Sequence, residues 1–245
     1  MKSNKILVVI PIFNIIKSVE SILLQTKSIS YPDLDILIVD NSSQDGSYEI
    51  LLEKLKIENR GDIFITQNSK NLGLGGTLKS TFSNYRDKYN WFLIVHGDGQ
   101  GKIDLIVDNF INEISIGKHF YIMASRFLIQ SDISNYNATR TKINKFLNLI
   151  SNLILNSAIS DFGCGIVAIH SKILDGVKYQ SFRSDFLFNP QFNFLVCQKY
   201  PDLIKEIPIQ WRDSPNKSNL EPFKYTSRYI LLLLESRRNF IKGAI

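Results

Sequence analysis

Hydrophobic and polar positions alternate in blocks along the first hundred residues of the chain. Four continuous apolar runs, rich in β-branched residues, are typical of strands buried on both faces. The segments between them have apolar positions about every 3.6 residues, which predicts helices. The predicted strands cover residues 5–13, 34–43, 62–68 and 90–98, and the predicted helices cover residues 15–26, 47–57 and 75–88.

This alternation predicts an α/β fold, with a mostly parallel sheet covered by helices on both faces. In such sheets, ligands bind beyond the carboxyl ends of the strands. Each predicted strand ends in a polar or glycine-rich cluster, namely PIFN, DNSSQDGS, NSKNLGLGG and HGDGQG. We therefore expect the functional residues to converge on one edge of the sheet.

The second half of the chain has a different pattern. Residues 138–160 have the apolar spacing of a long amphipathic helix, and residues 161–174 hold a strand within a glycine-interrupted segment. A further strand is predicted at residues 203–211, followed by a polar loop at 212–219 and a basic helix from residue 224 onward. We expect one domain over the whole chain, with an elaborated C-terminal half.

One aromatic cluster in this half is predicted to belong to the core. Its members alternate as in a buried strand, and they are Phe186, Phe188, Phe192 and Phe194.

The composition narrows the class of protein. A chain of 245 residues with 44% hydrophobic and 21% charged residues can form a large core and is not disordered. The N-terminal apolar run is too short for a membrane span of about 20 residues, and we interpret it as a first strand. Cys164 and Cys197 have no metal-binding or disulfide-framework spacing. We expect reduced, half-buried thiols in a cytoplasmic protein.

The net charge of +6 favours anionic partners without naming one. Nucleic acid, anionic lipid and nucleotide phosphates all fit this charge. The chain lacks clustered lysines and arginines interleaved with exposed aromatics, so we expect no nucleic-acid partner.

The segment HGDGQ, which follows the fourth predicted strand, carries the sharpest candidate chemistry. Asp98 and Gln100 alternate beyond the strand, so we expect both side chains to point the same way. Their oxygens suit Mg²⁺ or Mn²⁺, which needs one or two protein ligands when substrate phosphates supply the others. His96 is a further candidate ligand. The alternative interpretation of the segment is an ordinary turn.

Two other strand ends hold candidate nucleotide-binding residues. Asp40 ends the second strand, where a carboxylate can accept a hydrogen bond from a nucleobase or a ribose. A turn that caps the next helix is the alternative. Gly73, Gly75 and Gly76 open the third predicted helix and would let its backbone approach a ligand closely. Their spacing matches neither a dinucleotide-binding loop nor a Walker A loop.

Taken in order, these segments resemble the family 2 glycosyltransferases, which have the Rossmann-like GT-A fold. The resemblance rests on VVIPIFN, ILIVDNSSQDGS, NLGLGGTLKSTF, FLIVHGDGQ, IMASRF and SDFGCGIVAIHSKI. Within the family, LGLGGTLKS and HGDGQ look most like the dolichyl- or polyprenyl-phosphate sugar synthases and the bacterial surface-polysaccharide transferases. PIQWRDSPNKSN resembles the loop that closes over the substrate in these enzymes.

The resemblance implies two halves, a nucleotide-sugar-binding half over residues 1–125 and an acceptor-side half over residues 126–245. The donor would be a UDP-, GDP- or dTDP-sugar held at the first strand ends. The residues expected to contact its base and ribose are Pro11, Phe13, Asn14 and Asp40, with the three glycines beside them.

The resemblance also implies how the diphosphate is held. Asp98 would hold a bridging Mg²⁺ or Mn²⁺, with Gln100 assisting. Arg126, together with Arg212 or Lys217, would neutralise phosphate charge. His96 departs from the family pattern, because it stands where the first acid of a D-x-D motif is expected. Either the histidine takes that ligand position or metal is less central.

The implied reaction is direct displacement at the anomeric carbon, with inversion, onto a polyprenyl-phosphate or other lipid-linked acceptor. A hydroxyl acceptor needs a general base, for which Asp161 and Asp185 are the candidates. A phosphate acceptor is already anionic and needs none. Either aspartate also suits a turn cap.

Two alternative functions stay open at this stage, and the C-terminal helix has two interpretations. The replaced acid at His96 motivates a non-catalytic relative that binds a nucleotide sugar. A sugar nucleotidyltransferase is a weaker alternative, because PIFNII lacks the glycine-rich loop and basic residue expected after its first strand. Finally, residues 224–245 combine an apolar stripe with basic side chains. This helix either lies on the anionic inner face of the membrane or packs with a solvated basic face.

Overall fold

The chain forms a seven-stranded sheet between layers of helices, within residues 5–214 and 222–243, which the computed structural model describes. The strands are β1 Ile6–Ile12, β2 Leu34–Asp40, β3 Ile63–Gln67, β4 Trp91–Ile94, β5 Tyr121–Ser125, β6 Val167–His170 and β7 Ile204–Pro208. The helices are α1 Val19–Ser28, α2 Ser47–Glu58, α3 Gly73–Tyr85, α4 Ile103–Ile116, α5 Ala138–Leu155, α6 Ser171–Asp175, α7 Phe188–Lys199 and α8 Pro222–Ile241.

The sheet has the order β3-β2-β1-β4-β6-β5-β7. All neighbouring strands run parallel except β6, which is antiparallel to both β4 and β5. The prediction of a mostly parallel α/β sheet is therefore confirmed. The carboxyl ends of β1, β2, β3 and β4 lie at one edge.

Both faces of the sheet are buried, as the continuous apolar strands predict. Leu7 and Val9 of β1 face a core built with α3, α5, α7 and α8, whereas Val8 and Ile10 face a core built with α1, α2 and α4. This division follows from the two-residue period of a strand. No helix in the described part of the chain is both long enough and apolar enough to cross a membrane.

The structure corrects the expectation of a strand for the aromatic cluster of the second half. Phe188, Phe192 and Phe194 lie in helix α7 rather than in a strand, and Phe186 precedes the helix with an exposed side chain. Helix α7 is buried almost all round, so its apolar residues have no one-sided 3.6-residue pattern. The four-residue step from Phe188 to Phe192 fits a helix turn as well as a strand.

Two smaller expectations also change. The long helix of the second half ends at Leu155 rather than near residue 160. Cys164 and Cys197 are buried rather than half-buried. Burial raises the pKa of both thiols to about 12, so neither is a reactive thiolate near neutral pH.

Candidate functional site

A cleft of about 710 Å³ opens at the carboxyl edge of the sheet. Its volume lies in the range of small-molecule sites. The predicted site residues that line it are Pro11, Phe13, Asn14, Gly73, His96, Asp98, Gln100, Arg126 and Asp185. The cleft thus brings together residues from the ends of β1, β4 and β5 with residues of the second half of the chain.

The end of β1 is tied to the loop that follows β2. Asn14 has a left-handed backbone (φ 52°), and its N–H donates to Ser43 Oγ at 2.9 Å. Its side-chain oxygen accepts from the Gln44 N–H, also at 2.9 Å. These bonds fix the cleft wall that Pro11 and Phe13 share with Asn14.

Asp40 is completely buried at the end of β2 and is not among the residues that line the cleft. Its Oδ2 accepts from the Ser43 N–H at 2.9 Å and from the Gln67 side chain at 3.0 Å. Oδ1 is buried without a hydrogen-bond partner among the described residues. This geometry favours the turn alternative for Asp40, and its neighbour Asn41 lines the cleft instead. Contact of Asp40 with the ligand stays a prediction.

The glycines of α3 pack against protein backbone. A Cβ at Gly73 would lie 2.3 Å from the carbonyl oxygen of Ser184, and a Cβ at Gly75 would lie 2.4 Å from that of Arg183. The Gly76 N–H donates to the Ser184 carbonyl at 3.0 Å. The first turn of α3 therefore holds residues 183–188 in place, and so positions Asp185 at the cleft. Of the three glycines, Gly73 alone is among the lining residues of the described chain.

The HGDGQ segment is a turn rather than an extension of the strand, since β4 ends at Ile94 and Gly99 has a φ of 80°. The fourth strand therefore ends earlier than the predicted residue 98, and Asp98 and Gln100 both line the cleft. That their side chains point the same way stays a prediction. The Gln100 N–H donates to Asp98 Oδ1 at 3.3 Å. Gly97 packs against β1, because a Cβ there would lie 2.7 Å from a methyl of Ile12.

The loop after β7 lies against this turn. Arg212 donates from its backbone N–H to the Gln100 carbonyl at 3.0 Å and from Nε to the Gly99 carbonyl at 2.9 Å. The Gln100 side chain donates back to the Arg212 carbonyl at 3.3 Å, and Ser214 Oγ donates to the Asp98 carbonyl at 2.7 Å. Arg212 is exposed and does not line the cleft. Lys217 lies outside the described residues.

His96 is held neutral by its surroundings. Burial lowers the pKa of its imidazole, and this effect outweighs the attraction of Asp98. A Cβ on Gly165 would lie 2.2 Å from His96 Nε2, so the glycine makes room for the ring. The described residues contain no group of three or more histidine, cysteine, aspartate or glutamate side chains arranged to hold a metal. Of these residue types, the turn itself supplies His96 and Asp98, and their metal ligation stays a prediction.

Arg126 and Asp161 pair with each other. Two guanidinium nitrogens of Arg126 donate to the two carboxylate oxygens of Asp161, which is completely buried and is not among the lining residues. Burial works against the cation, but Asp161 outweighs that effect and raises the pKa of Arg126. This ion pair offsets much of the charge expected to meet phosphate. The predicted roles of Arg126 toward phosphate and of Asp161 as a base stay predictions.

Asp185 is the candidate base that lines the cleft. Burial opposes its ionisation, but the backbone N–H of Leu187 and the Arg228 guanidinium together hold its pKa below the usual range. Asp185 is therefore ionised near neutral pH and can accept a proton.

The structure adds lining residues that the sequence analysis did not single out. Among them are Asn41, Tyr136, Arg140, Asn189, Trp211 and Tyr225. Trp211 follows the last strand directly, and its place just before the polar loop is the one feature that could have marked it. The centre of its ring lies 5.9 Å from the guanidinium carbon of Arg126. The ring centres of Phe127 and Tyr136 lie 5.4 and 5.6 Å from the same carbon.

Residues 7–177 match the model of the family described as Glycosyl transferase family 2. Glucosyl-3-phosphoglycerate synthase from Mycobacterium tuberculosis in complex with UDP has a similar structure, with a TM-score of 0.73 at 14% identity over 96% of this chain and 80% of that chain. The same values hold for its complex with Mn²⁺, UDP-glucose and phosphoglyceric acid. A mycobacterial protein gives a TM-score of 0.73 at 13% identity over 96% and 75% of the two chains. At these identities the likeness establishes a shared fold.

Proposed function

Because the chain belongs to glycosyl transferase family 2, we propose that it transfers a glycosyl group from a nucleoside diphosphate sugar to an acceptor, with inversion at the anomeric carbon. One observation carries this proposal. A single cleft is lined by the strand-end residues of the expected donor side, by Asp98, and by Asp185 of the expected acceptor side. The reacting groups of a displacement need this kind of shared enclosure.

The donor end of the cleft suits a nucleotide. Pro11 and Phe13 offer apolar contact to a flat base, and Asn14 and Asn41 offer polar contacts nearby. UDP is supported by the similar synthase, whose structures contain UDP and UDP-glucose. GDP and dTDP donors remain alternatives for the test.

The turn after β4 fits a divalent cation such as Mg²⁺ or Mn²⁺. A carboxylate and a neutral imidazole are both metal ligands, and the lowered pKa of His96 keeps its ring in the ligating form. Mn²⁺ in the complexes of the similar synthase supports this assignment. When bound, the cation would offset the charge that develops on the leaving diphosphate. Asp98 would hold the cation, with His96 and Gln100 beside it.

The acceptor is proposed from cleft residues that come from the second half of the chain. A polyprenyl-phosphate or other lipid-linked acceptor, expected from the sequence motifs, would present an anionic oxygen that needs no general base. Arg140, which lines the cleft beside Asp213, would meet its charge. The expectation that the C-terminal helix contacts the membrane belongs to the same proposal.

A second candidate acceptor is a hydroxyl group on a small anionic molecule. Asp185 favours it, because an ionised carboxylate inside the cleft is a suitable general base. The phosphoglyceric acid in a complex of the similar synthase supports this class of acceptor. In that case Asp185 would take the hydroxyl proton as the acceptor oxygen attacks.

The test of the reaction is donor binding and slow donor hydrolysis across UDP-, GDP- and dTDP-sugars, with and without Mn²⁺. We expect one donor to bind in a metal-dependent way and to be hydrolysed slowly. Transfer to a short polyprenyl phosphate and to phosphoglyceric acid would then distinguish the two acceptor classes. Absence of binding to every donor would overturn the proposal and favour the non-catalytic alternative.

A further inference from the structure

Helix α5 is apolar on both of its sides. Leu147 and Leu155 face the core and are buried. On the opposite side, Phe146, Leu149 and Leu153 are 56%, 59% and 74% exposed. Their spacing of three and four residues places them in one row along the helix. We call this row the outer face of α5.

Such a face is unusual for the surface of a soluble domain. Helices that are apolar all round are normally covered on all sides. Helices α1 and α2, by contrast, each expose one large aliphatic side chain, Leu24 and Ile57. Single exposed apolar residues need no explanation, whereas a contiguous row marks an interaction site.

All charged side chains of helix α5 are positive. Lys142 and Lys145 are exposed, and α5 contains no aspartate or glutamate over its 18 residues. The Lys145 ammonium lies 5.6 Å from the centre of the Phe127 ring. Ile129, two residues after Phe127, is 99% exposed.

We propose that the outer face of α5 docks the protein on an anionic lipid bilayer. Phe146, Leu149 and Leu153 would enter the interfacial region, and Lys142 and Lys145 would contact the lipid phosphates. A second copy of the chain fits this face less well, because it would cover Lys142 and Lys145 of both copies with a face that has no acidic side chain to pair with them. The row from Lys142 to Leu153 extends about 16 Å, which is long enough for several lipid head groups.

Helix α5 also lines the cleft, so docking through its outer face would bring the cleft close to the membrane. This part of the inference rests on the proposed transfer to a lipid-linked acceptor. Arg140, Ile143 and Asn144, in the first two turns of the same helix, line the cleft. A bilayer against the outer face would therefore lie about one helix diameter, roughly 10 Å, from the cleft.

The sequence alone suggested the C-terminal helix for this contact. Helix α8 does expose Leu231, Leu234 and Ile241 beside the exposed Arg238. However, Glu235 is exposed on the same helix and would face anionic lipid unfavourably. The outer face of α5 has no such acidic residue.

The test is co-flotation of the full chain with vesicles of phosphatidylcholine alone and with 30% phosphatidylglycerol. We expect binding to the anionic vesicles that weakens with salt. The variant Phe146→Ser/Leu149→Ser/Leu153→Ser should require at least about tenfold more lipid for half-binding, because it loses the apolar contact. Ile57→Ser, which removes a similarly exposed side chain from α2, is the matched control and should bind like the wild type.

Lys142→Glu/Lys145→Glu supplies a second variant that leaves the apolar row intact, and it should lose the preference for anionic vesicles. Absence of wild-type binding at low salt would overturn the docking, and so would binding of both variants that equals that of the wild type. So would self-association of the wild type that the serine variant abolishes without any vesicle binding. Donor hydrolysis without vesicles, measured on the same samples, reports separately on the proposed transferase activity.

Discussion

Arg126 and Asp161 form a bidentate ion pair in the wall of the cleft, with Nε donating to Oδ2 at 2.7 Å and Nη2 donating to Oδ1 at 2.8 Å. The backbone N–H of Arg126 adds a third bond to Oδ2 at 3.0 Å. The pair therefore connects the end of β5 with the segment that precedes β6. Arg126 and Asp161 hold each other in a buried position, which is a structural contribution to the site.

Asp161→Ala should lower the free energy of unfolding by about 3 kcal/mol or more, because it leaves the buried Arg126 cation uncompensated. Urea denaturation measures this change. The control is Asp175→Ala, which removes the exposed partner of Arg86 and should cost less than about 1 kcal/mol. Unchanged stability together with lost transfer to a hydroxyl acceptor would instead support Asp161 as the general base.

Gly75→Ala should destabilise the protein by about 1–3 kcal/mol, because the added methyl would clash with the Arg183 carbonyl and with the Phe188 side chain. Gly61→Ala is the matched control, since nothing lies within 4 Å of a Cβ at that position. Thermal and urea unfolding of both variants measure the difference. If Gly75→Ala unfolds like the wild type but loses donor affinity, the glycine serves ligand approach rather than packing.

The first half of the fold is predictable from the sequence because β1, β2 and β4 are buried along almost their whole length, and the edge strand β3 still carries a short apolar run. Strands β1, β2, β3 and β4 therefore appear as apolar runs that end in polar clusters. The sequence does not predict helix α7, because a helix that is buried on all sides lacks the apolar stripe with a 3.6-residue period. The pattern predicts neither strand β5 nor helix α4 as an element, although IMASRF, which begins in β5 and ends two residues after it, contributes to the family resemblance.

The site is predictable to the extent that it lies at strand ends. Asp98 and His96 follow β4 and do line the cleft. The partners of such residues are not predictable, because they come from distant parts of the chain. Arg126 and Asp161 are 35 residues apart, and Lys79 bonds the Phe182 carbonyl across 103 residues. Spacing along one sequence carries no information on these pairs.

Asp98→Asn should lower donor hydrolysis and transfer at least about a hundredfold and should remove metal-dependent donor binding, because it weakens the ligand of the bridging cation. Isothermal titration with the donor, with and without Mn²⁺, separates binding from turnover. Near-normal turnover by this variant would rule out the metal role of Asp98. The unfolding curve of the variant serves as the control for folding.

Asp185→Asn should separate the two acceptor classes. With a hydroxyl acceptor, we expect transfer to fall about 10²–10⁴-fold while donor binding and hydrolysis persist, because the general base is lost. With a phosphate acceptor, transfer should change little. Arg228→Met is the matched control, since it breaks the ion pair with Asp185 but keeps the carboxylate. Loss of donor binding in Asp185→Asn would contradict the placement of Asp185 on the acceptor side.

His170 should make the stability of the fold depend on pH. Its ring is buried against Phe120, and its Nδ1 accepts the Lys172 N–H at 3.1 Å, so the folded state holds it neutral. Burial, followed by the charge of Lys172, lowers the pKa of this histidine in the folded state. Below the unfolded pKa of about 6.5, the unfolded chain therefore binds a proton that the folded chain does not.

The free energy of unfolding should accordingly fall as the pH drops from 7 toward 5, and His170 supplies at most about 1.4 kcal/mol per pH unit of that slope. His170→Asn keeps an acceptor at the start of α6 but does not titrate, so its slope should be shallower. The slope should not vanish, because the partly buried His96 also has a lowered pKa, and its protonation in the unfolded chain lowers the free energy of unfolding in the same direction. Urea denaturation of both proteins at pH 5, 6 and 7 measures the slopes, and equal slopes would show that His170 is not held neutral in the folded state.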